Sequence, residues 1–103
     1  MRLFELYKPD DPRKKYKIYV PYKDTFKKIE FGDSSYEDYT THRDLLRRER
    51  YINRHKKREN WDDYTTSGYW SKRVLWGDST DIDKNLRDAV KYALKIYKTS
   101  SKR

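Results

Sequence analysis

The chain has 103 residues, enough for one small domain. Only 34% of the residues are apolar and 42% are charged, a balance that favours disorder, but 17% are aromatic, and large rings can build a small core. The composition therefore predicts a folded domain with a thin core. It contains no cysteine, which excludes disulfides and cysteine metal sites, and no apolar run long enough to span a membrane. The net charge of +9 points to an acidic partner: nucleic acid, an anionic membrane surface or an acidic protein.

The first third of the sequence has the pattern of a β-hairpin. Lys15–Tyr22 alternates apolar and polar residues with period two, and Thr25–Asp33 continues as a second strand after a turn at Lys23 and Asp24. Met1–Tyr7 is a further short strand candidate, which two prolines separate from the hairpin. The sequence therefore predicts a β-hairpin or a three-stranded sheet.

A basic helix is predicted from about Arg43 to Lys57. Thr41 is a suitable N-cap residue, and Asp44 three residues later completes a capping box. Leu45 and Ile52 are seven residues apart and share one helix face, which predicts that this face contacts the core. Nearly half of the residues in this helix are Arg or Lys.

Two further helices are predicted in the second half of the chain. The first is short and contains Trp70, and the second is a C-terminal amphipathic helix that begins after Thr80. Because strands precede helices, the predicted class is α+β, with a single basic domain at residues 1–98 and a flexible tail at residues 99–103. The predicted core residues are Ile18, Val20, Phe31, Leu45, Ile52, Trp61, Trp70, Trp76, Leu86 and Val90.

Seven cations in and just after the basic helix are candidate partner-binding residues. Arginine suits phosphate groups because its planar guanidinium donates paired hydrogen bonds to anionic oxygens. The same cations also fit an acidic protein surface, or a solvated face whose charges pair with nearby acids such as Glu49 and Glu59. The seven residues are Arg47, Arg48, Arg50, Arg54, Lys56, Lys57 and Arg58.

Tyrosines and tryptophans concentrate in the middle of the chain, and two interpretations compete. Rings beside cations stack on the bases of single-stranded nucleic acid, whereas the same rings also build the core of a small domain. We expect the three tryptophans to be core residues and four tyrosines to form an aromatic interface with a partner. These tyrosines are Tyr36, Tyr39, Tyr64 and Tyr69.

No sequence pattern indicates an enzyme or a metal site. His42 and His55 lie thirteen residues apart in a chain without cysteine, which does not match a zinc-ligand spacing. The segment FGDS has no glycine-rich phosphate loop or nucleophile elbow around it, so Asp33 is expected to be a turn residue. We therefore predict no catalytic residue, no cofactor and no bound metal.

Three segments, FGDSSYEDYTTHRD, RRERYINRHKKRENW and TSGYWSKRVLW, carry a family resemblance. Together they resemble a small family of uncharacterised proteins encoded mainly by large DNA viruses of eukaryotes, with similar patterns in some bacteriophage proteins. The similar region runs from Lys15 to Trp76 and brings no catalytic residues with it. It implies a virion component or a protein that accompanies the viral nucleic acid.

The resulting expectation is a non-enzymatic viral structural protein. It would be a minor capsid or internal virion protein that docks on other virion proteins, such as capsid proteins, through its Arg- and Tyr-rich surfaces. The alternative is a basic protein that binds the DNA or RNA of the viral genome. Either function implies a location in the virion, and in the host-cell cytoplasm or a viral factory during assembly.

Overall fold

The structure, a computed structural model, describes residues 1–101 and has the predicted α+β class, a β-hairpin followed by helices. The elements are β1 (Tyr16–Tyr22), β2 (Thr25–Phe31), α1 (Tyr39–His42), α2 (Leu45–His55), α3 (Ser67–Trp70), a π-helical segment (Ser71–Leu75) and α4 (Ile82–Ser101). The last helix ends inside the predicted tail of residues 99–103, of which residues 102–103 lie outside the described part of the chain.

The two strands form an antiparallel hairpin in which Tyr16 lies opposite Phe31. Lys23 in the connecting turn has a positive φ of 54°, which lets the chain reverse within two residues. Ile18, Val20 and Phe31 face inward and are fully buried, as the period-two pattern predicts. The hairpin therefore supplies one apolar layer of the core.

The N-terminal segment follows the outer edge of β1 without becoming a third strand. Tyr7 and Lys17 exchange two backbone hydrogen bonds of 2.9 Å, and the Phe4 N–H donates to the carbonyl of Tyr19. Phe4 has a φ of 63°, a left-handed conformation that interrupts the extended backbone. The three-stranded alternative is therefore wrong: in residues 1–101 the sheet has two strands.

The basic helix begins later than predicted because the capping residues belong to two helices. Asp38 caps α1, and Thr41 completes the capping box of that helix. Arg43, with a φ of 57°, ends α1, and Asp44 then caps α2 by accepting hydrogen bonds from two backbone N–H groups of its first turn. The prediction that Thr41 caps the basic helix was wrong, since Asp44 takes that role.

Helix α3 and the π-helical segment are continuous and together form the α3–π segment, residues 67–75. The core lies where the inner face of the hairpin, this segment and α4 meet. Trp70 is the largest fully buried side chain, and its indole N–H donates to the carbonyl of Tyr64 at 2.7 Å. Trp61, by contrast, is half-buried outside this cluster. The other predicted core residues that pack against the buried cluster with partial exposure are Trp76, Leu86 and Val90.

Helix α2 contributes little to the core, which corrects the prediction for Leu45. Leu45 lies on the first turn and is 67% exposed, and Ile52 is half-buried. The buried side chain of α2 is Tyr51, which shares the inner face with Arg48 and His55. The seven-residue spacing of two aliphatic residues indicated the wrong face because the true inner face is aromatic and polar.

Helix α4 packs on the α3–π segment through small residues and polar bonds. Ala89 and Ala93 are buried, and the Tyr69 hydroxyl donates to the carbonyl of Ala89 at 2.6 Å. The buried Asn85 amide donates to the carbonyl of Val74 at 3.0 Å. The α3–π segment thus has α4 against one of its sides.

Candidate binding cleft

An open cleft of about 1020 Å³ lies between α2 on one side and the loops before β1 and after β2 on the other. Ser67, Gly68 and Ser71 of the α3–π segment line it from below. Gly32 ends β2 at the cleft edge with a φ of 82°, and a Cβ added there would lie 2.8 Å from the Leu75 side chain. Glycine is therefore required for the chain to turn into the loop that borders the cleft.

Three arginines of α2 form one wall of the cleft. Arg47, Arg50 and Arg54 are spaced by three and four residues, so the helix places them on one face, and all three line the cleft and are exposed. Within residues 1–101, none of their guanidinium groups has a hydrogen bond or an ion pair. This arginine row therefore presents three unpaired positive charges to the cleft.

The opposite wall carries three cations that the sequence interpretation missed: Arg13, Lys14 and Lys15. Arg13 donates two hydrogen bonds of 3.1 and 3.0 Å to Asp11, which lower the pKa of that carboxyl group. Lys15 pairs with the buried Asp38. The basic run before β1 is the sequence signal for this wall, and the predicted partner-binding residues do not include it.

Three acidic residues in the loop after β2 also line the cleft, as do Asp11 and Glu59; the three are Asp33, Glu37 and Asp38. The Ser35 hydroxyl and backbone N–H both donate to Asp33, and these bonds lower the pKa of its carboxyl group. Asp33 thus holds the turn after β2, the role expected from its position after Gly32. The unpaired positive charge of the cleft remains concentrated on the α2 wall.

Aromatic stacking beneath the arginine row fixes α2 to the cleft floor. Tyr51 stacks between His55 and Trp76, with ring centroids 4.2 and 4.3 Å apart. The Tyr51 hydroxyl donates to Ser71 Oγ at 3.2 Å, and burial raises the pKa of Tyr51 to about 12. His55 Nδ1 lies 3.1 Å from the Glu59 carboxylate. These contacts set the position of α2 and with it the position of the arginines.

Arg48 belongs to the same basic run but has a structural role. Its Nε donates to the carbonyls of Trp76 and Gly77 at 3.2 and 2.8 Å, and its Nη2 pairs with Asp78 at 2.9 Å. Its guanidinium also lies 5.6 Å from the ring centroid of Tyr39. The structure therefore assigns Arg48 to the contact between α2 and the end of the π-helical segment, rather than to the partner-binding cations.

The three cations that follow α2 are separate from the cleft. Lys56, Lys57 and Arg58 are exposed, and none of them lines it. The chain turns here, because the Glu59 N–H donates to the carbonyl of His55. Of the seven predicted partner-binding cations, the structure brings three together in the cleft, uses one internally and leaves three on a neighbouring surface.

The predicted aromatic interface is mostly interior. Tyr36 is 70% exposed beside the cleft, but Tyr39, Tyr64 and Tyr69 are buried. The Tyr64 hydroxyl donates to the carbonyl of Pro21 at 2.9 Å. Three of the four tyrosines therefore stabilise the fold, since their rings lie in the interior and two of their hydroxyl groups bind backbone carbonyls.

The histidines have local contacts instead of ligand geometry. His42 Nδ1 accepts the backbone N–H of Asp44 at 2.9 Å, while His55 is paired with Glu59 as described above. In the part of the chain that the structure describes, no three His, Asp or Glu side chains form a group suited to a metal ion. None of the helices in that part combines the length and apolar character needed to cross a bilayer.

Fold and cleft define a small α+β protein with a surface cleft whose α2 wall is basic. A family profile matches residues 4–55, half of the chain, and the chain belongs to this family, which is described as a family of unknown function (DUF5754). The match begins before Lys15 and ends before Trp76, so it covers the hairpin and α2 together with the arginine row. No match was found among curated proteins or among solved structures.

Proposed function

We propose that this protein is a non-enzymatic nucleic-acid-binding protein whose cleft holds a phosphate backbone against the arginine row. The observation that supports this function is that Arg47, Arg50 and Arg54 face the cleft without ion-pair partners among the described residues. Phosphate matches them chemically, because a guanidinium group donates paired hydrogen bonds to phosphate oxygens. Nucleic-acid binding, the alternative function in the sequence analysis, is therefore the function that the cleft supports best.

The length of the arginine row favours a chain of phosphates over a single anion. Arg54 lies seven positions after Arg47, which corresponds to about 10 Å along the helix axis. One phosphate group does not span that distance, whereas consecutive phosphates of a backbone do. Three like charges held this close also repel one another, and a bound polyanion relieves the repulsion.

The test is the salt dependence of binding to a random-sequence DNA duplex. The wild type and the variant Arg47→Gln/Arg50→Gln/Arg54→Gln are titrated between about 50 and 200 mM salt. Each phosphate neutralised contributes about −0.9 to the slope of log K against log salt, so the slope should decrease in magnitude by up to about 3. A variant with the affinity and slope of the wild type would contradict the proposal.

A matched control separates the cleft from bulk charge. The variant Lys56→Gln/Lys57→Gln/Arg58→Gln loses the same three charges from exposed positions outside the cleft. We expect it to keep most of the wild-type affinity, since only long-range attraction is reduced. Equal losses in the two triple variants would mean that net charge, and not the cleft, drives binding.

We propose as the second candidate a virion structural protein that docks on larger protein partners. A specific observation favours it: Leu45 and Leu46 are 67% and 55% exposed on adjacent positions of α2, and such apolar exposure is typical of protein interfaces. The resemblance to proteins of large DNA viruses supports a location in the virion, with capsid proteins as the partners. Assembly would then take place in the host-cell cytoplasm or a viral factory.

Two measurements test this second function. Mass spectrometry of purified virions should detect the protein, and its absence would exclude a virion role. The variant Leu45→Ser/Leu46→Ser should remain as stable as the wild type, because both side chains are exposed, yet be depleted from virions. If the folded variant is incorporated into virions as well as the wild type, the two leucines are not part of the interface.

A further inference from the structure

Helix α4 carries a second row of cations, on the face opposite its buried residues. Arg87, Lys91 and Lys95 follow one another at intervals of four residues and are all exposed. Within residues 1–101, none of their side chains has a hydrogen bond or an ion pair. Asp83 and Asp88 lie four residues before and one residue after Arg87, whereas residues 89–99 contain no Asp or Glu, so the acids of the helix are confined to the N-terminal end of this α4 row.

The α4 row and the cleft lie on opposite sides of the α3–π segment. Ser67, Gly68 and Ser71 line the cleft, whereas Tyr69 and Val74 contact α4 through hydrogen bonds to Ala89 and Asn85. The α4 row points away from that contact, because the helix buries its alanine face there. Two separate groups of unpaired cations therefore face outward in different directions.

We propose that the α4 row is a second docking surface for the backbone of a nucleic-acid duplex, so that one chain bridges two duplexes. This inference rests on the proposed function of the cleft. The row from Arg87 to Lys95 covers about 12 Å of helix, a length over which a duplex presents about seven phosphate charges. A duplex therefore offers phosphate charges along the whole length of the row, more than enough to pair with its three cations, which makes a duplex the partner that fits this surface.

The spacing of the cations distinguishes this surface from an ordinary solvated helix face. Like charges at positions i and i+4 destabilise an isolated helix, and the α4 row contains two such pairs in succession. By contrast, Lys84 at the start of the helix pairs with Asp88 at 3.1 Å. A phosphate backbone along the row would supply negative charge beside Lys91 and Lys95, where residues 89–99 contain no acid.

Bridging is measured with two short duplexes, one carrying a fluorescence donor and the other an acceptor. Energy transfer should rise as full-length protein is added and fall again when protein is in excess, because each duplex is then saturated separately. The variant Arg87→Gln/Lys91→Gln/Lys95→Gln should lose the transfer signal but still bind a single duplex through the cleft. Energy transfer that persists in this variant would overturn the proposal, because bridging would then not need the α4 row. A dimer that bridges the duplexes with its two clefts would give this result.

The outcomes distinguish failure of this inference from failure of the proposed function. If the arginine-row variant binds a single duplex like the wild type while the α4 variant does not bind, the cleft is not the site and the bridging proposal also fails. The variant Arg87→Ala/Lys91→Ala/Lys95→Ala provides a second replacement, since alanine favours helix formation. Circular dichroism tests whether both α4 variants are folded, and Lys56→Gln/Lys57→Gln/Arg58→Gln should bridge as the wild type does.

Discussion

Helices α2 and α4 carry similar rows of cations but are held by the fold in different ways. Helix α2 buries Tyr51 and is fixed at its side by the hydrogen bonds of Arg48. Helix α4 buries Ala89 and Ala93 in the core and is bonded to the α3–π segment through Asn85. The arginine row is thus positioned by a few aromatic and polar contacts, whereas the α4 row is positioned by the hydrophobic core.

This difference predicts different consequences when each helix loses its anchor. Removing a core contact of α4 should lower the stability of the whole domain, because the helix belongs to the same cluster as the hairpin. Removing an anchor of α2 should lead first to local opening near the cleft, since few buried apolar contacts hold that helix.

The largest effect is expected from Tyr69→Ala, which removes a fully buried ring beneath α4 and the hydroxyl that binds the Ala89 carbonyl. By analogy with other large aromatic residues, the free energy of unfolding should fall by about 3–5 kcal/mol. Urea denaturation followed by circular dichroism measures it. Tyr36→Ala is the control: its ring is 70% exposed, so its stability should change by less than about 0.5 kcal/mol. Equal effects would show that the four tyrosines are not divided into interior and surface residues.

A smaller effect is expected when alkaline pH acts on the anchor of α2. Burial raises the pKa of Tyr51 to about 12, from an ordinary value near 10. The folded chain then keeps a proton that the unfolded chain releases, so stability falls as the pH rises from about 10 to about 12. Over this pH range, the titration of Tyr51 should lower the free energy of unfolding by up to about 3 kcal/mol.

The measurement compares the urea stability of wild type and Tyr51→Phe across this pH range. The phenylalanine variant lacks the titrating hydroxyl, so its stability should decline less steeply with pH than that of the wild type. Tyr36→Phe, which changes an exposed ring, should follow the wild-type curve. A Tyr51→Phe curve parallel to the wild-type curve would mean that this hydroxyl is not protected in the folded protein.

The same contrast explains which elements are predictable from the sequence. The hairpin and α4 were predicted because their apolar residues follow the period of a strand or a helix, and burial then gives Ile18, Val20 and Ala93 their positions. The start of α2 was not predicted correctly, because the side chains of Thr41 and Asp44 can both cap a helix. Only the left-handed backbone of Arg43, which ends α1, assigns the two residues to different helices. Single-residue backbone conformations of this kind have no periodic signal.

The candidate site was predictable in composition but not in arrangement. The sequence indicated a dense basic run, and Arg47, Arg50 and Arg54 do lie together in the cleft. It did not indicate that Arg48 turns away from the other three. The partners of Arg48 are the carbonyls of Trp76 and Gly77, which lie 28 and 29 positions further along the chain. Lys14 on the other wall was missed for a similar reason, since only folding places the loop before β1 across the cleft from α2.

The smallest effect, and the one that separates structure from binding within a single helix, is expected from Arg48→Met and Arg47→Met. Methionine keeps an apolar side chain of similar length, so Arg48→Met mainly removes the bonds to two carbonyls and Asp78, at a cost of about 1–2 kcal/mol in unfolding free energy. Arg47→Met removes an exposed and unpaired cation and should leave stability within about 0.5 kcal/mol. DNA binding should show the reverse pattern: Arg47→Met lowers the magnitude of the salt slope by about 1, while folded Arg48→Met keeps the wild-type slope. If the two variants change stability and slope together, the division of α2 into an anchoring side and a binding side does not hold.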